Sequence, residues 1–154
     1  MINSAFDALA PGGYLEMQDP VVPWRFETPP APDSPFVLWN KINVEASIAG
    51  GRPWNNVVNY AEWMREAGFV DVEEKKYFLP TGSWSPGDKD EQLGNWQLLN
   101  MLGLIDAFTP KNLAYLGWDE EKSEEFIEAV KEEFRSGKIK GYYDILVVVG
   151  KKPS

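Results

Sequence analysis

The chain has 154 residues, 44% of them hydrophobic and 14% aromatic, which is enough for one globular domain with its own core. A formal net charge of -9 repels phosphate backbones and argues against nucleic acid as a partner. With no cysteine and no histidine, a disulfide framework, thiolate catalysis, Ser-His or Cys-His triads and the usual zinc donors are all excluded.

No run is long and apolar enough to span a bilayer, and the first residues lack the basic and apolar regions of a signal peptide. The expected setting is therefore intracellular, cytoplasmic or nuclear, with no membrane partner. The acidic runs, Asp88 to Glu91 and Asp119 to Glu133, read as solvated helix faces.

Ala5, Phe6, Ala8 and Leu9 fit the last turns of a helix that Pro11 stops, and Gly12 and Gly13 supply the turn. Tyr14 to Asp19 then reads as a strand. Residues 20–35 carry so many prolines that neither helix nor central strand is allowed, and they read as a long insertion loop pinned by Trp24 and Phe26. That loop is either a packed connection or a substrate lid.

From Phe36 to Ala49, Val37, Leu38, Ile42, Ala46 and Ala49 share one helical face, ended by Gly50 and Gly51. Pro53 opens a second helix, predicted over Trp54 to Ala67 with Gly68 as its stop, and the alternation of Phe69, Val70 and Val72 with acids predicts a strand. Leu79 to Gly87 is turn chemistry. A helix from about Lys89 to Ala107 follows, its expected buried face being Leu93, Trp96, Leu99, Leu102 and Ile105. Asp119 caps a further helix with Phe126, Ile127, Val130 and Phe134 as its inner stripe. The unbroken apolar run Tyr142 to Val149 predicts a strand covered on both faces and central in its sheet.

The helix, then LAPGGYLE, then a strand resembles the fifth-strand region of class I S-adenosylmethionine-dependent methyltransferases. The later segments YAEWMREAGFVDVEEKKYFLPTGSW, GNWQLLNML, LGWDEEKSEEFIEAV and YYDILVVVGKKP, in that order, resemble the C-terminal half of the fungal LaeA-like methyltransferases, a family tied to secondary metabolism. The resemblance implies an α/β, partial Rossmann-like class I methyltransferase fold: a three-stranded mixed sheet in the order of the fifth, seventh and sixth family strands, with helices, in one domain over 1–154. It implies S-adenosylmethionine as cofactor and methyl transfer to a small molecule or a protein. The family's Gly-rich cofactor loop would lie before Met1, and no residue here matches it, so no cofactor-binding residue is assigned and activity by this chain alone is not expected.

On the acceptor side, Glu16, Gln18 and Asp19 sit where a strand end would border the cleft. Trp24, Tyr60, Trp84 and Trp96 are candidates for an aromatic wall. Each also has a purely structural reading: turn or solvent-facing polar groups for the first three, core packing for the rings. Glu16 and Asp19 point to opposite faces of a strand, so they do not make a carboxylate pair or a metal site.

The partners implied are a methyl acceptor and a complementary N-terminal half, or self-association through the exposed edge of the Tyr14 strand. Two alternatives stay open: a non-catalytic interaction module, and a cofactor-independent enzyme using Glu16 or Asp19.

Overall fold

The computed structural model describes all residues, 1–154. Its elements are α1 (Ile2–Ala8), β1 (Tyr14–Pro20), β2 (Arg25–Phe26), α2 (Pro35–Ala49), a 3-10 helix (Trp54–Asn59), α3 (Tyr60–Glu66), β3 (Val70–Pro80), α4 (Asp88–Tyr115), α5 (Glu120–Arg135) and β4 (Gly141–Lys151). No helix is long and apolar enough to cross a membrane. The last strand is the central one, pairing with each of the other three in a four-stranded sheet. This is the α/β, partial Rossmann-like arrangement expected, with β4 between β1 and β3 and with one addition: the Pro-rich segment contributes the two-residue strand β2.

Two compact units emerge. The first holds Met1–Val21, Asn55–Phe78 and Asp144–Ser154. Within it β1 runs antiparallel to β4, from Tyr14 opposite Lys151 to Pro20 opposite Ile145. Alternation along β1 turns Met17 inward, and it meets Ile2, Val57, Ala61, Met64, Phe69, Leu146 and Val148 in one buried cluster. The Pro-Gly-Gly turn is tied to the end of β4, since the Gly12 amide donates to the Lys152 carbonyl (3.0 Å) and the Lys152 amide to Gly13 (2.8 Å). Gly12 has φ +78°, which glycine tolerates. The Lys152 ammonium closes the C-terminal end of α1, donating to the Phe6 and Leu9 carbonyls at 2.6 and 2.8 Å. That is where a cation best satisfies orphan carbonyls.

The second unit holds Val22–Trp54 and Leu79–Tyr143. Here α2, α4 and α5 pack on one another around an aromatic centre. Phe36 is fully buried and lies 4.4 Å from Phe134, 5.1 Å from Trp24, 5.5 Å from Phe26 and 5.7 Å from Trp39, centroid to centroid. The start of α2 is capped twice. Ser34 Oγ accepts from the Val37 amide, and the Glu133 carboxylate of α5 accepts from Ser34 Oγ (2.7 Å) and the Phe36 amide (2.8 Å). A carboxylate at a helix N-terminus satisfies orphan N–H groups and complements the dipole.

Three expectations are corrected. The helix predicted over Trp54 to Ala67 begins as a 3-10 turn and becomes α-helical only at Tyr60. Its first six residues are three asparagines, two valines and a tryptophan, all middling helix formers. The strand predicted from Phe69 continues to Pro80, because backbone pairing with β4 carries it through the charged stretch Glu73 to Lys76, which has no buried face to leave a period.

The third correction concerns α4. It runs on to Tyr115, and it buries Gly94, Gln97, Met101, Ile105, Thr109 and Leu113 in place of the expected stripe. Of that stripe only Ile105 is buried, while Leu93, Trp96 and Leu99 are exposed. A strict three-residue ladder drifts by about 60° per step around a 3.6-residue helix, so it cannot stay on one face. The helix passes Pro110 because both Pro110 and Asp106, whose carbonyl loses its partner, lie at the surface, with Thr109 and Leu113 holding the next turn in the core.

Candidate functional site

Within the first unit, alternation along β1 sorts the predicted polar residues. Glu16 and Gln18 face outward and hydrogen-bond each other, the Gln18 amide donating to the Glu16 carboxylate. Asp19 lies on the same side as Met17, half-buried, and accepts a 2.8 Å hydrogen bond from the Tyr60 hydroxyl. The structure thus joins two residues 41 positions apart in sequence that were singled out separately.

Burial, first, and then the hydrogen bond and negative charge of Asp19 push the Tyr60 hydroxyl from 10.0 up to about 12. A folded-state value above the unfolded one means that the protonated form's contribution to stability is fully present below about pH 10. It is lost as pH rises through about 12. In a spectrophotometric titration, the difference between the native chain and Tyr60→Phe should show one tyrosine ionising in that upper range, and Asp19→Asn should bring it back toward 10.0. An ordinary titration for Tyr60 in the native chain would contradict the Asp19 contact.

On α3, Tyr60, Trp63 and Glu66 follow at three-residue steps. Tyr60 and Trp63 have ring centroids 6.0 Å apart at 41°. Together with Met1, Ile2 and Asn3 of the α1 region they line a groove of about 350 Å³. Trp63, Glu66 and Asn3 are not among the residues that the sequence points to, because the groove depends on how α1 lies beside α3 and no local spacing records that.

The other predicted rings belong to the second unit. Trp24 is buried against Phe36, Trp39, Phe134 and Tyr143. Its amide donates to the Asn40 side chain (3.1 Å) and its carbonyl accepts from it (3.3 Å), which fastens the Pro-rich segment to α2. Trp84 is half-buried, with its indole N–H on the Gly141 carbonyl at 3.3 Å. Trp96 is 72% exposed. Gln97, which hydropathy passes over, donates to the buried Tyr143 hydroxyl at 2.6 Å, and burial pushes that phenol up to about 12.

The glycine turns do not make a nucleoside-cofactor cradle. Gly12 and Gly13 bind the end of β4, and Gly50 and Gly51 close α2. Gly82 and Gly87 stand between β3 and α4, but the first turn of α4 carries Asp88, Asp90 and Glu91 and opposes an anion. The one carboxylate tucked at a strand end, Asp19, is engaged with Tyr60. These residues do not fit S-adenosylmethionine.

No protein-family model matches the chain. It is 36% identical over 156 residues to the probable methyltransferase tdiE of Emericella nidulans, covering 100% of this chain and 49% of that protein. It is 28% identical over 155 residues to methyltransferase pytC of Aspergillus terreus, covering 99% and 48%. Against the secondary metabolism regulator LAE1 of Cochliobolus heterostrophus it is 25% identical over 125 residues, covering 79% and 40%. A solved Haemonchus contortus phospholethanolamine N-methyltransferase 2, in complex with phosphomonomethylethanolamine and S-adenosylhomocysteine, superposes with a TM-score of 0.44 at 14% identity, over 99% of this chain and 29% of that one.

The sheet order and the sequence matches together define a methyltransferase-like α/β protein. Over its whole length the chain is similar to fungal methyltransferases, and over about four fifths of it to a fungal regulator of secondary metabolism. It spans about half the length of the curated relatives it matches.

Proposed function

We propose that the chain forms the acceptor-side part of an S-adenosylmethionine-dependent methyltransferase acting on a small molecule of secondary metabolism, and that alone it does not turn over. The observation that carries this reading is the alignment with tdiE across the whole chain at 36% identity. The lack of fit between these residues and the cofactor supports inactivity of the chain alone, donor binding falling to a complementary half. On this reading Asp19 and Tyr60 meet the acceptor, and Glu16 and Gln18, on the other face of β1, do not. Tyr60, with its proton committed to Asp19, keeps lone pairs free to accept a hydrogen bond from an acceptor hydroxyl or amine, which orients the nucleophile without a histidine.

Calorimetric titration with S-adenosylmethionine and S-adenosylhomocysteine tests it. The chain alone should give no saturable heat. The same chain mixed with the remaining half of a tdiE-like sequence should bind in the micromolar range, roughly -8 kcal/mol. Absence of binding by the mixture, with both parts folded, would end the methyltransferase reading for this chain.

A further inference from the structure

The groove between α1 and α3 has a composition that selects for one kind of ligand. Tyr60 and Trp63 present two rings inclined at 41°, Glu66 adds a carboxylate one turn further along α3, and Ile2, 8% exposed, gives an apolar wall. A cation is attracted to the face of an aromatic ring by the ring quadrupole, and two inclined rings with a nearby carboxylate form a partial cage. The Tyr60 hydroxyl donates to Asp19, which leaves more electron density on the ring and strengthens its pull on a cation. The groove's volume, about 350 Å³, suits a small organic head group. Glu66 supplies the carboxylate in the groove lining, in a chain whose net charge is -9.

We infer that this groove is a binding site for an alkylated ammonium group, held against the rings of Tyr60 and Trp63 with Glu66 as counter-ion. A neutral group of the same shape would gain only the apolar contacts. A small, strongly hydrated cation would lose its water for too little in return. The site shares Tyr60 with the proposed acceptor side, but it is complete within the first unit and its test does not require methyl transfer.

The test is titration of the isotopically labelled full chain with tetramethylammonium chloride, followed by amide chemical shifts. Sodium chloride at matched ionic strength and tert-butanol, a neutral molecule of similar size, serve as controls. Tetramethylammonium should shift the Ile2, Asn3, Tyr60, Trp63 and Glu66 amides saturably, at least about fivefold more tightly than tert-butanol. Trp63→Leu and Glu66→Gln, both at exposed positions where the fold tolerates change, should each weaken it by about two- to fivefold. Equal affinity for tert-butanol, or shifts that sodium chloride reproduces, would overturn the inference. So would a Trp63→Leu chain that keeps its native amide spectrum and binds tetramethylammonium as tightly as before.

Discussion

Gly94→Ala is expected to lower the melting temperature, and Gly103→Ala, nine residues along the same helix, is expected to raise it. A methyl group at Gly94 would stand 2.0 Å from the Gly82 carbonyl oxygen and 2.9 Å from its carbon. Those are backbone atoms, so no rotamer change relieves the overlap. The contact cannot simply open either, because the Gly82 amide donates to the Gly94 carbonyl at 2.8 Å. The substitution forces α4 away from the loop that precedes it, at a cost of about 2 kcal/mol or more after the intrinsic helix gain of alanine is counted. In a chain of this size that is a fall of roughly 4 to 8 °C.

At Gly103 a methyl group would meet nothing within 4 Å, so only the helix gain remains, about 0.5–1 kcal/mol. Thermal melts of the two variants beside the native chain check both signs. A neutral Gly94→Ala would mean that α4 does not approach Gly82 as closely as described.

That pair also explains what the sequence could not say about α4. The helix was legible from its apolar content, but its phase was not, since the buried line 94, 97, 101, 105, 109, 113 includes a glycine, a glutamine and a threonine. Each belongs there for a reason that lies in another segment. Gly94 admits the Gly82 backbone, Gln97 meets Tyr143, and Thr109 accepts the Trp39 indole N–H at 2.8 Å. Hydropathy along one segment cannot register a partner elsewhere in the chain.

Where the partner is water or a uniform core, the reading succeeded. Of the α5 stripe, Ile127, Val130 and Phe134 are buried and Phe126 is half-buried, and Asp119 caps the helix, accepting from the Lys122 amide at 2.8 Å. The double-sided apolar run of β4 is central. For the candidate site, period-2 alternation already separated Glu16 and Gln18 from Asp19 on β1. The joining of Asp19 to Tyr60, by contrast, depends on how α3 lies against the sheet, which no local pattern encodes.

Phe36→Ala should cost about 3–5 kcal/mol, whereas Trp96→Ala should stay within about 0.5 kcal/mol. A hydropathy scale alone would not separate them so far. Phe36 is fully buried at the start of α2, and its ring contacts reach α5 through Phe134 and the Pro-rich segment through Trp24 and Phe26. Truncation to alanine leaves a cavity that the remaining rings, already wedged edge to face against one another, cannot close by small shifts.

The loss should spread beyond the hole itself. Trp24 is the anchor of residues 20–35, and with one ring neighbour gone that segment should lose near-UV dichroism in step with the fall in stability. Trp96, the bulkier residue, keeps 72% of its surface in water, so removing it changes little that folding had gained. Chemical denaturation of both variants, followed by far- and near-UV dichroism, provides the comparison. Similar losses in the two would place Trp96 in a core that the structure does not give it.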